Sequence, residues 1–129
     1  MNTEQEEMFR KIDMMSADGF VSYLAGDVKF RFGNAPELVG RDSVQAAIES
    51  FFSNIAGLKH VLLDEWNERG TTILRFDTHY TKHDRSVFVA PCCAVLRYDT
   101  QGLIDDYRIY ADVSPLYSSS LGNEARLAS

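Results

Sequence analysis

Cysteine is nearly missing from this chain: Cys92 and Cys93 are the only two in 129 residues, and they are neighbours. Adjacent residues of a strand point to opposite faces, so a disulfide between them would require a distorted turn. Both read instead as small hydrophobes carrying reduced thiols. Histidine is scarce too, and His60, His79 and His83 show no metal-ligand spacing with each other or with the thiols, so no metal site is expected. Positive charge is short: thirteen Lys and Arg against nineteen Asp and Glu leave a net charge of −6. That balance speaks against nucleic acid and against an anionic membrane surface, both of which call for surplus cations. No apolar run approaches the ~20 residues of a membrane-spanning helix. There is no phosphate-cradling glycine loop, and no cofactor is expected. The opening stretch Met1-Asn2-Thr3-Glu4-Gln5-Glu6-Glu7 is acidic where an export leader is basic and then apolar, so a cytoplasmic location is expected.

What is present is the composition of an ordinary globular domain, 45% hydrophobic and 25% charged. One domain over residues 1–117 is expected, with 118–129 as a flexible polar tail. Thr3-x-x-Glu6 has the form of a capping box, followed by Met8, Phe9, Ile12 and Met15 on one helical face. Ser16 is placed to cap a short second helix carrying Phe20, Val21 and Leu24. Val28 to Phe32 reads as a strand, ended by Gly33-Asn34-Ala35-Pro36. A third helix has Asp42 at its cap and Val44, Ala47, Ile48, Phe51, Phe52 and Ile55 in the i, i+3, i+4, i+7 series, with Gly57 as its stop.

From Leu58 the apolar period falls from about 3.6 to 2. Four strands follow, Leu58–Glu68, Thr71–Lys82, Ser86–Tyr98 and Leu103–Val113, joined by short turns as a meander. Helices first and strands afterwards predict an α+β fold, with the helices on one face of a curved antiparallel sheet. The third meander strand is apolar on both faces. A chain this short has nothing left to cover the outer one, so a homodimer through the outer face of the sheet is expected.

Several strings in this order resemble the SnoaL-like branch of the nuclear transport factor 2-like superfamily, which also holds ketosteroid isomerases and limonene epoxide hydrolase. They are Ala17-Asp18-Gly19-Phe20, Val39-Gly40-Arg41-Asp42, Gly57-Leu58-Lys59-His60, Val89-Ala90-Pro91 and Gly102-Leu103-Ile104-Asp105-Asp106-Tyr107-Arg108-Ile109-Tyr110. The resemblance implies a cystatin-like α+β barrel: a cone in which the curved sheet wraps three N-terminal helices around a mostly apolar pocket, commonly in a homodimer. It does not fix an activity, because the fold hosts isomerases, cyclases, hydrolases and proteins without chemistry.

Strand parity sorts the side chains. Leu74, Phe76, Thr78 and Tyr80 form the apolar face of the second meander strand and should point inward, with Arg75, Asp77 and His79 outward. A one-residue slip would bring in Asp77 and His79 as an acid/base pair. A tight turn at His83-Asp84 would put Val89, Pro91, Cys93 and Val95 inward on the next strand. Tyr107 and Ile109 should face in from the last strand, Phe30 and Phe32 from the first, and Tyr23 and Phe51 from the helices. The expected ligand-binding set is therefore Tyr23, Phe30, Phe32, Phe51, Phe76, Thr78, Cys93 and Ile109, suited to a small apolar molecule.

The catalytic groups of the resembled families are mostly missing. The acidic residue that ketosteroid isomerases carry two places after the proline is here Cys93; their general base falls at Phe32, and their helix tyrosine at Met8 or Phe9. The carboxylate–arginine–carboxylate set of the epoxide hydrolase falls at Phe76, Thr78 and Ile109. The acidic residue of the cyclases leaves only Asp105, at a strand's start. His60 remains, since imidazole titrates nearest neutrality, and His60 with Tyr80 or Tyr107 is the expected proton-transfer set. Cys93 has no visible base to activate it as a nucleophile. Two readings stand at this point: an enzyme acting on a small oxygenated apolar molecule such as a polyketide or terpenoid fragment, or a ligand-binding or dimerising module of the same fold.

Overall fold

The computed structural model describes residues 1–117; the expected tail, 118–129, lies outside the described residues. Three helices and the five expected strands follow one another in the expected order, with one short strand, β2, added where only a loop was expected: α1 (Thr3–Asp13), α2 (Ala17–Val21), β1 (Leu24–Phe32), β2 (Leu38–Val39), α3 (Arg41–Ser53), β3 (Gly57–Glu68), β4 (Thr71–Thr81), β5 (Val87–Tyr98) and β6 (Ile104–Tyr110), with a 3-10 turn at Ser114–Tyr117. The strands form a single curved, unclosed sheet in the order β2-β1-β6-β5-β4-β3. The α+β architecture stands. Its sheet is mixed rather than wholly antiparallel, because β1 lies parallel to β6, pairing Phe30 with Tyr107 and Phe32 with Ile109.

The helices start on local hydrogen bonds. The capping box of α1 is formed one residue earlier than expected, by Asn2 and Gln5: the Asn2 carboxamide accepts from the Gln5 amide at 2.8 Å, and Gln5 Oε1 accepts from the Asn2 amide at 3.1 Å. Ser16 caps α2 as expected, its Oγ accepting from the Gly19 amide at 3.0 Å. Helix α3 departs from its expected cap. Gly40 occupies that position at φ +96°, a conformation that disfavours a side chain, and Asp42 sits in the first turn where it favours the helix dipole. Leu24 belongs to β1 rather than to α2, and is fully buried there.

One core lies between helices and sheet. Met8, Phe9 and Ile12 of α1, Phe20 and Val21 of α2, and Val44, Ile48 and Phe52 of α3 pack on Phe30, Leu74, Phe76, Tyr80, Leu96 and Tyr107. Each such side chain contributes about 1.5–3 kcal/mol when taken fully from water.

Two irregularities decide which residues face that core. The β4–β5 connection spans residues 82–86, closed by Lys82 N donating to Ser86 O at 2.8 Å, with Arg85 at φ +74°. Thr81 therefore pairs with Val87, and even positions meet even positions: Phe76 with Cys92, Thr78 with Ala90 and Tyr80 with Phe88. The expected two-residue turn would have given the opposite parity. Ala90, Cys92, Ala94 and Leu96 are the buried residues of β5, and Val89, Pro91, Cys93 and Val95 lie on the other face. The second irregularity is a bulge in β3 between Leu62 and Asp64. Up to Leu62 the strand shares the inward face of Phe76, Thr78 and Tyr80; beyond it Asp64 pairs with Arg75 and Trp66 with Ile73, on the outward face.

Candidate active site

His60 reaches the interior because Gly57–Leu62 precedes the bulge: His60 pairs with Thr78, the fully buried centre of β4. Its ring packs beside two phenyl groups, with Phe9 at 5.0 Å and Phe76 at 5.1 Å between centroids, and these two meet each other at 5.9 Å. Helix α1 ends at Asp13, directly over β3. There Asp13 Oδ1 lies 2.6 Å from His60 Nδ1, and the His60 amide donates to Asp13 Oδ1 and Oδ2 at 3.3 and 3.2 Å. An ionised carboxylate only accepts hydrogen bonds, so Nδ1 carries the proton and the lone pair of the neutral ring sits on Nε2. The pair is largely shielded, its side chains 14% and 27% exposed. This is the arrangement in which a carboxylate holds an imidazole in one tautomer and stabilises the cation formed when Nε2 takes a proton.

A chamber of about 40 Å³ adjoins the dyad. His60, Tyr80 and Tyr107 line it together with Phe30, Phe32, Phe51 and Ile109, so seven of the eleven residues expected at the site surround one space. The two tyrosines are 2% exposed. Burial, the largest cause for both, pushes the phenol of each well above the ordinary tyrosine range. They remain neutral O–H donors through any physiological pH. Outside the chamber a cleft of about 340 Å³ opens between the β1–β2 loop, α3 and the segment after β6. Phe30, Phe32, Ile48 and Phe51 line both spaces.

Four expected ligand-binding residues lie elsewhere. Phe76 packs behind the imidazole, and Thr78 is sealed in the sheet with its Oγ 3.5 Å from Cys92 Sγ. Tyr23 borders a separate crevice with Asn2, Gln5 and Tyr98, its ring under Lys11 Nζ at 5.0 Å. Cys93 faces away from the core, a consequence of the longer β4–β5 connection. Asp77 and His79 keep the outward parity first read for them, so no slip brings them inside. Asp105 is paired with Arg97 at 3.1 Å, and exposed His83 meets the Ser53 carbonyl at 2.9 Å. Among the described residues no group of three or more His, Cys, Asp and Glu is placed to hold a metal ion.

Asp13 escaped the sequence reading. Its spacing from His60 is 47 residues, and nothing local distinguishes it from any polar residue ending a helix.

The fold finds a counterpart in sequence: residues 6–107 match the model of the SnoaL-like domain. The chain belongs to that family. No curated protein matches it in sequence. Among solved structures, a protein of ketosteroid isomerase-like fold from Catenulispora acidiphila, in complex with trimethylamine, superposes with a TM-score of 0.80 at 10% identity, over 90% of each chain. A protein from Shewanella denitrificans, provisionally named a SnoaL-like polyketide cyclase, gives 0.76 at 11% identity over 97% of this SnoaL-like chain and 99% of its own. TerC, crystallised with polyporic acid, gives 0.75 at 8% identity over 88% and 92%. Identities this low establish a shared fold. No helix among the described residues is long and apolar enough to cross a membrane.

Proposed function

We propose that this SnoaL-like protein catalyses proton transfer on a small, mainly apolar, oxygenated molecule of the polyketide or terpenoid type. His60 is the base, Asp13 orients it, and Tyr80 or Tyr107 supplies the hydrogen bond to the substrate oxygen. One observation carries this reading: His60, held by Asp13 at 2.6 Å, forms part of the wall of an apolar chamber that Tyr80 and Tyr107 also line. Proton abstraction next to a carbonyl requires a base and, facing it, a donor for the developing oxyanion. A desolvated chamber strengthens both interactions. The provisional cyclase name of one fold neighbour, and the polyporic acid held by another, support the substrate class.

The reading is tested by incubating the protein in deuterium oxide with a panel of polyketide- and terpenoid-derived ketones and following deuterium incorporation by mass spectrometry. Exchange that falls about 10²–10⁴-fold in His60→Ala is the expected result. Ligands that raise the Tm while none exchanges would overturn the catalytic reading and leave a binding module. A homodimer through the outer face of the sheet belongs to the same proposal, and its test is argued below at the scale of the molecule.

A further inference from the structure

The outer cleft and the inner chamber differ almost ninefold in volume, about 340 against about 40 Å³. A chamber of that size has room for roughly three water-sized groups. The cleft is within the range that holds the body of a small organic ligand. Both spaces share Phe32 and Phe51, whose rings pack on each other with centroids 5.5 Å apart and planes inclined at 39°. Phe51 also meets Tyr80 edge-on at 5.8 Å, so its ring is held on one side by the phenol of the site and on the other by Phe32.

We infer that Phe32 and Phe51 form a neck that selects the substrate by the width of its reacting end. The selected molecule has a bulky apolar body that stays in the cleft and a slender terminal carbonyl or hydroxyl that alone reaches His60. Ketones flanked by two rings are turned back at the neck. This inference rests on the proton-transfer reading of the same site, and it narrows the substrate class to molecules oxygenated at an unhindered end. Discrimination of about ten- to two-hundred-fold is the ordinary yield of an apolar wall that clashes with an added group.

The test uses acetophenone, butyrophenone and benzophenone as probes, with the Tm reporting binding and the His60 imidazole resonances reporting arrival at the dyad. In the unaltered protein acetophenone should shift the His60 signals, butyrophenone less so. Benzophenone should raise the Tm while leaving His60 unmoved. Phe51→Ala should let benzophenone shift the His60 signals with at least tenfold stronger apparent affinity than before. Phe51→Leu, which keeps an apolar side chain if the alanine variant folds poorly, should show the same change more weakly. Benzophenone moving His60 in the unaltered protein as readily as acetophenone would overturn the neck and leave the dyad's role intact. So would a selectivity that neither Phe51 variant alters, or benzophenone that fails to raise the Tm. Should none of the three ketones shift His60 in any variant, the proton-transfer reading falls together with the neck.

Discussion

Replacing Asp13 by asparagine keeps the shape of the side chain and removes the charge that steadies a protonated imidazole. The amide also presents an N–H₂ group that cannot accept from His60 Nδ1, so the ring is freed to adopt the other tautomer. Asp13→Asn should therefore cut deuterium exchange by at least about tenfold, a loss in turnover more than in ligand binding. The same carboxylate accepts from both the amide and the ring of His60, and charge-assisted bonds of this kind are worth about 1.5–3 kcal/mol. Asp13→Ala should lower the urea midpoint accordingly. Tyr80 and Tyr107 make a second expectation at this scale. Their phenols titrate above the ordinary range in the folded protein, and near pH ~10 once unfolded. Above that pH the unfolded chain binds fewer protons than the native one, so stability is full below pH ~10 and falls as pH rises beyond it. A spectrophotometric titration should show these two tyrosines ionising together with unfolding. His60 could be picked out in the sequence because it is the ionisable group left once the matching catalytic positions of the resembled families are found empty. Asp13 could not, since its role exists only once the end of a helix meets a strand far along the chain.

The elements themselves were largely readable from period and punctuation, and their facing was readable only where the count of turn residues was right. Inward Leu74, Phe76, Thr78 and Tyr80 follow from alternation within one strand. Carrying that alternation into β5 requires knowing that five residues, not two or four, separate Thr81 from Val87. One residue of difference turns every side chain of the next strand over. The β3 bulge does the same to Asp64 and Trp66, and no residue type in Leu62-Leu63-Asp64 announces it. The thiols give a direct check on this register. Cys92 is buried, hydrogen-bonded to the Ala90 carbonyl at 3.3 Å, and burial pushes its thiol up, whereas Cys93 is partly open on the outer face. An aromatic disulfide reagent should modify one thiol in the native protein. Cys93→Ser should abolish that reaction and Cys92→Ser should leave it, with both thiols of the unaltered chain reacting only in denaturant. Reaction at Cys92 first would mean that β5 presents its odd positions to the core.

At the scale of the whole molecule the unresolved need is a cover for the sheet's outer face. The helices occupy one side only. On the other, Val61 and Trp66 of β3, Val87 and Val89 of β5 and Tyr110 of β6 remain 37–60% exposed. Such a spread of apolar groups across three strands is more than isolated surface residues explain. Charged side chains of both signs interrupt it, the Arg75–Asp64 pair among them, and a face carrying both signs can complement a rotated copy of itself. A second copy of the chain is therefore the expected occupant, related by a twofold axis through the sheet. Sedimentation should give a mass of about twice the 14.6 kDa of one chain. Trp66→Glu and Val89→Asp each place a carboxylate where the copy would press, and burying an unpaired charge costs more than such a contact returns. Both variants should sediment as folded monomers. Because Cys93 lies on this face, its thiol should react more slowly as protein concentration rises, and at a constant rate in the two monomeric variants. A chain that sediments at 14.6 kDa whatever its concentration would leave the face to some other partner.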